Sequence, residues 1–380
     1  MVEIGGHAEP GFEPVVEAFS ANFDELGELG AAFAAHVNGR MVVDVWGGVA
    51  RPSDGSAWTG DTLQLIFSGT KGLAAVCMML LADRGLVDVE RPVADYWPEF
   101  AANGKEGVTV ADVLTHSAGL AAVTTDLRVQ DLLDPVALAS LLAGQTPHWE
   151  DGGRVAYHGL TYGWLCDALT RRIAGVSLGR FFATEIAGPL ALDAWIGLPR
   201  ELEGRVSELT MRNYAVDPPV SPYGKRIFFN PPVFVEPLVW NSPEMHAAEN
   251  AAVSGIATAR SLARLYGCLA GGGSLDGVRL CSPTAIERAA CLRVRGTDPY
   301  ANEAVAFGLG FELQTEELAF GPPLDAFGHT GAGGSVHGAW PRGATGFSYC
   351  MNEMRPEGSD QRGRRLLRAL SSCLDTYESK

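Results

Sequence analysis

Lysine is nearly missing from this chain of 380 residues: Lys71, Lys105, Lys225 and Lys380 are all there is. Acidic residues outnumber basic ones 45 to 29, for a formal net charge of -16. That balance disfavours nucleic acid and anionic membrane surfaces as partners, since both demand clustered positive charge. No apolar run approaches the ~18 residues that span a bilayer. The opening residues MVEIGGHAEPGFEP have neither the basic nor the apolar region of a secretory leader, so a cytoplasmic location is expected. Seven scattered cysteines include no C-x-x-C pair, so neither a disulfide framework nor a zinc site is suggested, and they read as reduced, mostly buried thiols. H-E-x-x-H spacing is absent, and neither metal nor cofactor is expected. So is the G-x-S-x-G elbow of a Ser-His-Asp hydrolase: the near miss at 333–337, GGSVH, lacks its last glycine and reads as a turn carrying Ser335.

What is present centres on residues 67–83, FSGTKGLAAVCMMLLAD. From Leu73 to Ala82 the one polar side chain is Cys77, so a helix here is apolar on every side and belongs in a core. Ser68 opens it, where free backbone N–H groups and the positive end of the helix dipole favour an alkoxide or oxyanion. Lys71 follows one turn later on the same face. With four lysines, and serine at roughly one residue in twenty, about 0.2 Ser-x-x-Lys matches are expected by chance. The plain alternative is an N-capping serine followed by a solvated lysine.

Along the chain, residues 12–29 have helical spacing. Two strand-like runs at 31–37 and 41–46 flank Asn38-Gly39, the pair that favours a type I′ hairpin. The stretch to about residue 172 reads as largely helical. Residues 200–250 hold PPVSPYG and NPPVFVEP and read as an irregular excursion, with Tyr223, Phe228, Phe229, Phe234 and Trp240 as candidate pocket residues. Short strands return at 307–313, 326–330 and 344–351, and residues 361–377 close as an amphipathic helix. The expected fold is therefore α/β (α+β). Both termini, 1–72 and 250–380, build an antiparallel sheet flanked by helices, and 73–249 forms an inserted, mainly helical domain with its excursion at 200–249. The active site would lie in the cleft between them.

Two more segments carry chemistry. GRVAYHGLTYGW (153–164) places Tyr157 in a polar, aromatic loop ahead of a helix. A nearby Lys71 would pull down its phenol, ordinarily near ~10, and a phenolate–lysine pair can move a serine proton. FGHTGAGG (327–334) is a glycine-rich strand end, where backbone N–H groups can closely approach a reacting carbonyl. By itself it also fits a tight turn. His116 and His158 read as residues that hold their loops by hydrogen bonds.

In this order and at these separations, Ser68-Gly69-Thr70-Lys71, Tyr157 and His329-Thr330-Gly331 resemble the three motifs of the class C β-lactamase-like serine hydrolases, a β-lactamase/penicillin-binding-protein-like fold. The branch they are most similar to is the family VIII carboxylesterases. VTVADVLTHSAGL (108–120) supports the resemblance, which spans about residues 30–352. It implies Ser68 as nucleophile, Lys71 and Tyr157 as general-base pair, and the N–H groups of Ser68 and Ala332 as oxyanion hole, with His329, Gly331 and Gly333 beside the substrate. The chain departs from the lactamase pattern twice. Tyr157-His158-Gly159 stands where those enzymes have Tyr-x-Asn, and His329-Thr330-Gly331 where they have Lys-Thr-Gly. Losing the amide and the permanent positive charge weakens binding of anionic β-lactams and favours a neutral ester as small-molecule substrate. Acyl transfer, weak β-lactamase or amidase activity, and a sensor that acylates without turnover use the same residues and stay open, as does homo-oligomerisation.

Overall fold

The computed structural model describes residues 2–149, 155–212, 214, 221–235, 238–356 and 358–377. Asn38 and Gly39 both take positive φ, 48° and 80°, as a type I′ turn requires, and join β2 (Gly30–Val37) to β3 (Arg40–Arg51). With β1 (Ile4–Ala8), which has no signature in the sequence, they form one end of an antiparallel sheet. The other end comes from the C-terminal third: β4 (Val294–Thr297), β5 (Ala304–Phe307), β6 (Glu312–Leu313), β7 (Phe327–Gly331), β8 (Ser335–Trp340) and β9 (Thr345–Met351). Strand order is β1-β3-β2-β9-β8-β7-β6-β5-β4, with Ser56–Ala57 added on β3. The N- and C-terminal parts of the chain meet where β2 pairs with β9.

That central pair is covered on both faces, so β2 is buried at all eight positions instead of alternating. Phe33 and Ala35 face a layer made by α1 (Glu13–Leu26) and α5 (Arg362–Tyr377), while Ala32 and Ala34 face the larger core. A Cβ at Gly346 on β9 would lie 2.0 Å from the Gly267 nitrogen of α4 (Ala259–Ala270). The long apolar helix is α2 (Gly69–Asp83), and it is buried at every position through Leu81. It runs into the larger core with α3 (Thr161–Ala174).

Two expectations need correction. Ser335 is not a turn residue: it opens β8 and pairs with Gly331 across the hairpin. The excursion is not wholly irregular, since Pro222–Phe229 and Pro243–Ala247 are helical. Its residues 213, 215–220 and 236–237, like Gly153 and Arg154 of the tyrosine segment, lie outside the described residues.

Candidate active site

Ser68 immediately precedes α2. The residue before it, Phe67, is held at φ 44°, a left-handed conformation that costs a bulky side chain on the order of 1 kcal/mol. Its buried ring is fixed by Trp240 and Phe234, with centroids at 5.6 and 5.7 Å. Strand β7 runs close alongside. A Cβ on Gly331 would come within 2.3 Å of the Ile66 carbonyl oxygen, so glycine is what lets the strand approach the backbone leading into Ser68. Gly333, at φ 89°, makes the β7–β8 turn over Met354. Ala332 and His329 border the cleft, whereas Gly331 and Gly333, expected beside the substrate, support it from behind.

Lys71 is fully buried, with 0% exposure. Its Nζ donates to the carbonyls of Gly159 (2.8 Å) and Ala252 (3.1 Å) and lies 3.2 Å from Ser68 Oγ. Burial drives its pKa down to about 7, with Glu312 pulling the other way. A neutral amine has two hydrogens and one lone pair. With both hydrogens taken by carbonyls, the lone pair is left for the serine hydroxyl. The Tyr157 ring stands 4.6 Å from Lys71 Nζ.

The tyrosine loop is pinned from three sides. Tyr157 N–H donates to Asp298 Oδ2 at 2.5 Å. His158 N–H donates to His116 Nδ1 at 3.0 Å, and His158 takes the Leu120 N–H on Nε2 while its Nδ1–H donates to the Ala156 carbonyl. Each ring nitrogen of His158 thus has the role it plays in a neutral imidazole, and burial holds its pKa down at about 4. Both histidines serve the loop, as the sequence suggests. His329 is also kept neutral: burial, then the nearby Lys71 charge, push it down to about 3.

These groups open on a cleft of about 460 Å³. Phe228 and Phe234 border it, whereas Trp240 stands behind Phe67 and Tyr223 packs on His148 and Tyr300. Sequence reading missed Asp298, Phe307 and Glu312, which also line it. Glu312 sits on a strand of two residues, and Asp298 in the turn between β4 and β5, with no local motif to mark either.

Residues 18–371 match the Beta-lactamase family, and the chain belongs to that family. It is 37% identical over 357 residues to the Esterase/beta-lactamase LipL of Mycobacterium tuberculosis, covering 91% of this chain and 82% of that protein. Among solved structures, a family VIII carboxylesterase superposes with a TM-score of 0.91 at 37% identity, covering 98% of this chain and 100% of the other. A penicillin-binding protein homolog from Caulobacter crescentus gives 0.90 at the same identity and coverage. The protein is a serine hydrolase of the β-lactamase fold. Among the described residues no helix is long and apolar enough to cross a membrane.

Proposed function

We propose that this enzyme is a carboxylesterase that hydrolyses uncharged carboxylic esters through an acyl-Ser68 intermediate. The observation that carries the reading is the environment of Lys71. A buried amine with a pKa of about 7, both hydrogens engaged by carbonyls and Ser68 Oγ at 3.2 Å, suits a general base.

Lys71 takes the Ser68 proton as Oγ attacks the ester carbonyl. Backbone N–H groups of Ser68 and Ala332 receive the oxyanion. Tyr157, beside Lys71, returns the proton to the departing alcohol, and water then repeats the sequence on the acyl-enzyme. A neutral His329 supports uncharged substrates, because it offers no cation to a substrate carboxylate. The esterase names of relatives at 37% identity support the same substrate class.

The test is hydrolysis of p-nitrophenyl acetate and butyrate by the wild type and by Ser68→Ala, with intact mass measured during turnover. Wild-type turnover and an acyl adduct, both lost in Ser68→Ala, are expected. Full activity in Ser68→Ala sinks the reading, and an adduct that never clears turns it toward the non-turnover sensor.

A further inference from the structure

The cleft wall beside His329 is built from acceptors. Glu312 Oε2 receives both the N–H and the hydroxyl of Thr330, at 2.9 Å each, which fixes the carboxylate. The Glu312 side chain is 27% exposed and lines the cleft. His329 Nδ1, 3.5 Å from Glu312 Oε2, donates to the Thr330 carbonyl at 2.7 Å, so Nε2 carries the lone pair of the neutral ring. That Nε2 is buried without a partner, in a side chain 2% exposed that lines the cleft. Glu303 and Asp298 add carboxyl groups to the same wall, burial raises the pKa of both Glu312 and Glu303, and no lysine or arginine stands among the described lining residues. A donor suits the His329 Nε2 lone pair, and a positive charge on the same group would add to that of Lys71, the cation that already acts on Glu312. A primary ammonium has three N–H donors and one charge, and no acceptor to waste against the carboxylate.

We propose that Glu312 and His329 form a subsite for a primary ammonium group, and that the preferred substrates of this enzyme are esters bearing one. This rests on the esterase reading above. It has a consequence for the base: Glu312 is the strongest charge acting to raise the Lys71 pKa. A substrate cation docked on Glu312 offsets that charge and releases Lys71 toward its free amine, so binding favours the catalytic form.

The experiment compares matched pairs in the wild type. The acyl-side pair is p-nitrophenyl 6-aminohexanoate against p-nitrophenyl hexanoate, and the alcohol-side pair is 2-aminoethyl butyrate against propyl butyrate. At least one ammonium ester should exceed its uncharged partner by about ten- to a hundredfold in kcat/KM, the range of a charge-assisted hydrogen bond. The ratio should fall toward one in Glu312→Gln, and the acid limb of kcat should lie at lower pH with the ammonium substrate. Should Glu312→Gln not fold, competitive inhibition of neutral-ester turnover by hexylammonium, but not by hexanol, serves in its place. Equal or poorer turnover of both ammonium esters, or a ratio unchanged in Glu312→Gln, overturns the subsite. Ser68-dependent turnover of p-nitrophenyl butyrate then still stands, which separates this failure from failure of the esterase reading.

Discussion

Asp298 holds Tyr157 by the backbone: its Oδ2 accepts the Tyr157 N–H at 2.5 Å, across 141 residues of sequence. Its Oδ1 receives the N–H groups of Tyr300 and Ala301, at 2.7 and 3.1 Å, and the side chain is almost wholly buried. One carboxylate thus ties the β4–β5 turn to the tyrosine loop.

Replacing it tests whether that tie sets the position of Tyr157. Asp298→Asn keeps the volume but has one acceptor oxygen for three donors. We expect kcat on p-nitrophenyl butyrate to fall about tenfold or more, with KM moving less. The lost hydrogen bonds should also lower stability by about 1–3 kcal/mol. Unchanged kcat alongside a lowered Tm would make Asp298 structural only.

The Lys71 pKa of about 7 sets a pH profile. In the proposed mechanism the amine is the active form, so kcat/KM should rise about tenfold per pH unit below 7 and level off above it. His329 and His158, held at about 3 and 4, should add no inflection near the usual histidine value. The stability effect follows the same group. Its folded pKa lies below its ordinary 10.5, so between about 7 and 10.5 the unfolded chain binds more protons and this group's contribution to stability rises with pH. Lys71→Ala should lose about two to four orders of magnitude in kcat/KM. A flat profile from pH 5 to 9 would count against Lys71 as the base.

Gly331→Ala places a methyl 2.3 Å from the Ile66 carbonyl and 2.4 Å from Ser335 Oγ. Backbone cannot yield there without moving β7 or the segment entering Ser68. A loss of about 1–3 kcal/mol in denaturant unfolding is expected, together with a larger proportional loss of esterase activity. Gly107→Ala, where no atom lies within 4 Å of the new methyl, is the control.

In the proposed reading, anionic substrates are opposed by two features at once, a neutral His329 and the carboxyl group of Glu312 3.5 Å away. A lysine introduced at 329 would be neutralised by Glu312. Nitrocefin hydrolysis should therefore rise little in His329→Lys and by about tenfold or more in His329→Lys/Glu312→Gln, measured as initial rate. A gain as large in the single variant would show that Glu312 does not shape charge selection.

Local chemistry made a good part of this molecule readable. The i, i+3 spacing of Ser68 and Lys71 at the head of an apolar run is enough to place them together on one buried helix, because helix geometry relates neighbours along the chain. Asn38-Gly39 specified its hairpin for the same reason, and the ordered Ser-x-x-Lys, Tyr157 and His-Thr-Gly segments pointed to the family that residues 18–371 match.

Tertiary structure alone decided the rest. The Lys71 pKa is lowered by burial that no local pattern reveals, and the carbonyls that take its hydrogens, at Gly159 and Ala252, lie 88 and 181 residues away. Ser335 reads as a turn because its glycine neighbours dominate the local signal, yet pairing with Gly331 makes it strand. Asp298 and Glu312 are ordinary carboxylates in sequence. What makes them matter is an amide or a hydroxyl delivered by another strand or loop, and hydrogen bonds across such distances are formed by the folded chain as a whole.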